Sequence, residues 1–233
     1  ITLNGAGTGG IGSSALYNAS TSGTTTASNL ITLGSATTIG ANTGSTLALS
    51  NAGTITGATF GLTFTGAGSG SLASILGTTS GSLTMNSTGT WTLSGANTYT
   101  GTTTINSGTL SITNAQGLGT SSGGAITVNA GTLSINLGGA TLSNNASTLT
   151  LNGAGTGGTG NSALYRAGSS GTDTISNPIT LGSAATIGAN AGATLTLGGN
   201  ITNSTNALTF VGAGNFNVTS VIGSGAGTVT MNS

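Results

Sequence analysis

Across 233 residues there is one basic side chain, Arg166, one acidic side chain, Asp173, and no histidine, where an ordinary domain gives about a quarter of its residues to charge. This excludes the basic patches that nucleic acid or an anionic membrane surface needs and the paired carboxylates of hydrolytic and lyase chemistry. With no cysteine, neither disulfides nor thiolate metal sites can staple the chain.

In chain order, short apolar alternations predict strands at 1–3, 31–33, 46–49, 62–64, 83–85, 91–93, 103–105, 109–112, 126–128, 132–135 and 149–151. Turn clusters separate them, as at Ser94-Gly95-Ala96-Asn97, Asn106-Ser107-Gly108 and Asn129-Ala130-Gly131, where Gly and Asn accept positive φ. No run has helical periodicity, and no apolar stretch reaches the roughly 18 residues of a membrane-spanning helix. The 45 glycines suggest a flexible linker, but a mean hydropathy of +0.28 at zero net charge is the opposite of a disordered composition. Alternation places Leu33, Phe64, Met85, Leu93, Ile105, Val128, Leu151, Leu181 and Phe210 inside, with the intervening threonines outside.

The chain also repeats itself at long range. Ile1-Thr2-Leu3-Asn4-Gly5-Ala6-Gly7 returns as Leu149-Thr150-Leu151-Asn152-Gly153-Ala154-Gly155, a shift of 148 (152 minus 4), and Ser14-Ala15-Leu16-Tyr17 returns as Ser162-Ala163-Leu164-Tyr165. Late in the unit the shift becomes 146 (231 minus 85), where Leu83-Thr84-Met85 meets Val229-Thr230-Met231. Residues 1–87 and 149–233 are thus two copies of one segment, and 88–148 is a connecting segment of the same rod. Strand-and-turn units repeated in tandem bury their apolar faces against their neighbours, which predicts an all-β, right-handed parallel β-helix without visible caps. At roughly 20 residues per coil, a 148-residue unit holds about seven coils. At about 4.8 Å per strand the rod is about 50–60 Å long, and like residues on successive coils form hydrogen-bonded ladders. The chain reads as a slice of a longer protein.

Residues 89–110, Gly-Thr-Trp-Thr-Leu-Ser-Gly-Ala-Asn-Thr-Tyr-Thr-Gly-Thr-Thr-Thr-Ile-Asn-Ser-Gly-Thr-Leu, resemble the passenger-associated repeat of bacterial autotransporters. Its pattern is an apolar strand, Ser-Gly-x-Asn-Thr-Tyr-Thr-Gly, a Thr-rich strand, Ile-Asn-x-Gly and a closing Thr-Leu. The resemblance implies an exported β-helix of a surface or secreted protein and is silent about a partner.

Gly5-Ala6-Gly7-Thr8-Gly9-Gly10 and Gly153–Gly158 fit G-x-G-x-x-G, but no helix follows and no acid stands about 20 residues on, so a solenoid corner is expected. Asp173 alone cannot cage calcium, and the many hydroxyls have no histidine to activate them. No catalytic, cofactor or metal residue is assigned, and the chain is expected not to be an enzyme. Arg166 and Asp173 correspond to Asn18 and Thr25 of the first copy, which predicts a dispensable, exposed pair worth about 1 kcal/mol or less. Trp91, Tyr17, Tyr99 and Tyr165 are expected in core or corner packing, not in a sugar platform. Thr-x-Thr recurs at 54–56, 90–92, 98–100, 148–150, 194–196 and 228–230, spaced too unevenly for one ice-binding column. The expected function is structural: a stalk, adhesin shaft or self-associating fibre outside the cell or on a bacterial surface. The alternative is a binding module with a Thr-rich face for ice or glycan.

Overall fold

In the computed structural model, which describes residues 1–8, 13–144, 146–223 and 225–232, the chain winds as an all-β parallel solenoid of about 9 turns at about 23 residues each. Three strand stacks form its faces. The second face runs unbroken from Leu16–Asn18 through Thr37–Ala41, Leu62–Gly66, Leu83–Met85, Thr103–Ile105, Ile126–Val128 and Leu149–Gly153. It continues through the start of Ile179–Ala189, Ile201–Thr202 and Ile222–Gly223. The third runs from Gly23–Ala27 through Ser45–Leu49, Ser69–Leu72, Thr90–Leu93, Thr109–Ile112 and Thr132–Ile135. Above these lie Leu164–Arg166, the end of Ile179–Ala189, Leu208–Val211 and Val229–Asn232. The first face carries strands at Thr2–Leu3, Thr32–Leu33, Thr54–Ile55 and Ile75–Leu76, and again at Thr172–Ile175, Thr194–Leu197 and Asn215–Val218. All of these pairings are parallel.

The alternating pattern sets which side chains enter. All nine expected interior residues are buried, within one apolar core extending from Leu3 to Phe210. Thr103 shares the inward parity of Ile105, not that of the intervening Thr104, and it lies fully buried on the column between Leu83 and Ile126. There its hydroxyl meets the Tyr99 hydroxyl at 2.7 Å, so two polar groups satisfy each other inside the core. Trp91 enters because its rung partner is Gly70: a Cβ there would fall 2.5 Å from the indole. The ring stacks on Phe64 with centroids 4.0 Å apart.

Strands that alternation did not single out include Gly23–Ala27, Thr37–Ala41 and Ser69–Leu72, where Thr, Ser, Gly and Ala dominate. Rung-to-rung steps vary from 19 residues (Trp91 to Leu110) to 33 (Thr141 to Thr174). Longer corners raise the mean above the expected 20 or so and lower the coil number. Nine steps at about 4.8 Å give a rod of about 43 Å, shorter than expected.

Six rungs separate Leu16 from Leu151 on the second face. Yet Leu3, the first-copy counterpart of Leu151, stands on the first face. The 148-residue unit therefore advances the chain six coils and one face, and the two copies present equivalent strands on different sides of the rod.

Candidate functional site: a buried ion pair and a threonine column

Arg166 and Asp173 are not exposed. Leu164-Tyr165-Arg166 and Asp173-Thr174-Ile175 alternate so that each charge shares the parity of a core leucine or isoleucine, and both side chains are 0 % exposed. Arg166 takes the inward column between Ile135 and Ala189. Its Nε lies 2.8 Å from Asp173 Oδ2, in charge contact without the alignment of a hydrogen bond. Its other nitrogens donate to Asn136 Oδ1 at 3.2 Å and to the Ser170 carbonyl at 2.7 Å. Asp173 accepts the Leu137 N–H at 2.7 Å and the Gly139 N–H at 2.9 Å. The only two charged side chains of the chain thus neutralise one another inside the solenoid, tied to the coil below. In the first copy the same positions hold a neutral pair: Thr25 donates to Asn18 Oδ1 at 3.1 Å, and Asn18 donates to the Thr46 carbonyl at 2.8 Å. The alternation was the signal that could have placed the charges inside.

A second feature spans the outside of the second face. Thr38, Thr63, Thr84, Thr104, Thr127, Thr150, Thr180 and Thr202 lie on eight consecutive rungs. The Thr-x-Thr motifs themselves do not share a column, as their uneven spacing predicts: Thr54, Thr194 and Thr196 stand on the first face, and Thr90, Thr92 and Thr230 on the third. Of the motif residues only Thr150 joins this column, whose other threonines are brought into register by the corners. The first seven are half-buried and Thr202 is exposed. Two residues further along the strands is an asparagine ladder. Asn106 donates to Asn86 at 2.8 Å, Asn129 to Asn106 at 2.7 Å and Asn152 to Asn129 at 3.0 Å. The face has no charged group and no outward tryptophan or phenylalanine. Trp91 and Tyr99 are fully buried, while Tyr17 and Tyr165 are half-buried. Burial pushes the Tyr99 phenol well above the ordinary tyrosine range, with the Thr103 hydrogen bond partly opposing the shift.

The signature at residues 94–101 is a corner device. On the first face this coil has no strand, and Asn97, fully buried, replaces the ladder: its Oδ1 accepts the Leu76 N–H at 2.8 Å and its Nδ2 donates to the Gly117 carbonyl at 2.7 Å. One side chain thereby ties three successive coils. Gly101 is required by close approach, since a Cβ would lie 2.2 Å from the Gly81 carbonyl. The Gly153–Gly158 motif is likewise a corner, with Gly153, Gly155 and Gly158 at φ of 89°, 81° and 72°. In the first copy Gly5 and Gly7 adopt 69° and 70°, while Gly9 and Gly10 lie outside the described residues. Among the described residues no helix is long and apolar enough to cross a membrane.

Residues 83–112 match the family model of the passenger-associated-transport-repeat. The matched stretch contains the Leu83–Met85 and Thr90–Leu93 strands, the Asn97 corner and the next two strands, more than one coil. Comparison with curated proteins and with solved structures finds no match.

Proposed function

We propose that this chain is a shaft segment of a secreted or surface-displayed bacterial protein, with a mechanical and spacing role. The observation that carries the reading is the continuity of the core. The inward columns pass from first copy through connecting segment to second copy without interruption, so adding units lengthens a rod and does not add separate globules. The passenger-type repeat at 83–112 supports export and surface display. The uncharged flanks offer no long-range repulsion, which favours side-by-side association of rods. The test is electron microscopy of tandem forms with one, two and three 148-residue units. Each unit should lengthen the particle by about 30 Å, six and a third coils at about 4.8 Å; lengths that do not grow in step would refute the shaft reading.

The threonine column favours a second reading, an ice-binding flank. Eight threonine hydroxyls in register, none engaged in a hydrogen bond among the described residues, stand at about the inter-strand spacing of 4.8 Å on a charge-free face. Burial of Trp91 and Tyr99 and half-burial of Tyr17 and Tyr165 weigh against the glycan alternative, because sugar recognition draws on exposed ring faces. Ice crystals grown with the protein should be faceted, and Thr104→Lys should abolish the faceting while leaving rod length unchanged; unfaceted crystals with the parent protein would end this reading and leave the shaft reading untouched.

A further inference from the structure

We infer that the Arg166–Asp173 pair is a register lock that selects the second copy, in preference to a first copy from another molecule, on the upper edge of the connecting segment. The need arises from the repeat itself. Thr132–Ile135 receives Leu164–Arg166, and Ile126–Val128 receives Leu149–Gly153. The first copy offers nearly the same strands, Leu16–Asn18 and Thr2–Leu3. Apolar contacts alone distinguish poorly between Leu16 and Leu164, or Leu3 and Leu151. While the chain folds, the connecting segment's edge is open, and the first coil of a neighbouring molecule competes for it.

The edge itself makes the distinction. It presents Asn136 Oδ1 and the N–H groups of Leu137 and Gly139, all three engaged by the ion pair. A carboxylate accepts both N–H groups at once, through charge-assisted bonds that are shorter and stronger than neutral ones. The counterpart Thr25 has a single hydroxyl, already directed to Asn18. A first copy docked there would leave a backbone N–H buried without a partner, and buried polar groups that specify register are the best-attested use of such pairs.

Cysteine cross-linking after refolding tests this. Thr127 and Thr150 are rung partners, close enough for a disulfide, so Thr127→Cys with Thr150→Cys reports correct stacking as an intramolecular bond. Thr127→Cys with Thr2→Cys reports the wrong partner as disulfide-linked oligomers. In the otherwise unaltered chain the first pair should close within the monomer and the second should give few oligomers. Adding Arg166→Asn and Asp173→Thr should raise the oligomers from the second pair about tenfold, the ratio equivalent to one lost charge-assisted bond. The converse, Asn18→Arg with Thr25→Asp on an intact second copy, should raise them as well, and serves as the test if the neutralised form does not fold. Unchanged oligomer yield in the converse variant, or in a folded neutralised variant, would overturn the lock.

Discussion

Replacing Asp173 by threonine alone should be among the most damaging single changes in this chain. The Arg166 guanidinium would stay sealed from water with only the Asn136 side-chain oxygen and the Ser170 carbonyl as neutral acceptors. The N–H groups of Leu137 and Gly139 would lose their carboxylate. Removing one partner of a buried ion pair costs about 3–5 kcal/mol, because the remaining charge has no compensation. Adding Arg166→Asn should restore much of that loss by rebuilding the first copy's neutral arrangement, leaving a deficit of about 1–2 kcal/mol for the exchanged hydrogen bonds. The double-mutant cycle then gives a coupling of at least about 2 kcal/mol. Urea unfolding followed by circular dichroism, with fluorescence of the single tryptophan, Trp91, as second probe, measures all four forms. A loss below about 1 kcal/mol for Asp173→Thr, the value of an exposed pair, would refute the burial argument. A double variant as unstable as the single one would refute the equivalence with Asn18 and Thr25.

Gly70→Ala places a methyl 2.5 Å from the Trp91 ring; overpacking should cost about 1–3 kcal/mol and shift Trp91 emission, and an unchanged spectrum and midpoint would count against the Gly70–Trp91 fit. Asn106→Ala removes both the bond it donates to Asn86 and the one it accepts from Asn129, for a loss of about 1–2 kcal/mol in urea midpoint, whereas Asn114→Ala, which breaks only a local turn bond to the Gln116 N–H, should cost less. Because the folded Tyr99 phenol is held above its ordinary value, the folded state retains its proton more tightly than the unfolded chain. Its contribution is complete below about pH 10 and declines as pH rises beyond that value. Ultraviolet titration should show one phenol, absent from the Tyr99→Phe variant, ionising above the ordinary tyrosine range, and Tyr99→Phe should flatten the alkaline loss of stability.

Period-two alternation, glycine corners and the 148-residue echo were sufficient for the parallel solenoid and for the inward set from Leu33 to Phe210, because a strand's two faces follow from local geometry. The same rule, applied strictly, would have turned Arg166 and Asp173 inward. Comparison with neutral Asn18 and Thr25 suggested instead a surface pair, since tolerance of an uncharged residue says nothing of depth. Stacking could not be read locally. Met85 and Met231 occupy the same place in the two copies, yet Met85 is buried beneath Ile105 while Met231, on the last rung, is 55 % exposed. Corner lengths determine which residues become rung partners. They carry threonines from unevenly spaced segments into one column, and they turn the second copy by one face relative to the first. Sequence by itself determined which side of each strand is apolar; only the tertiary structure decided what lies above and below it, because in a solenoid burial comes from the neighbouring coil.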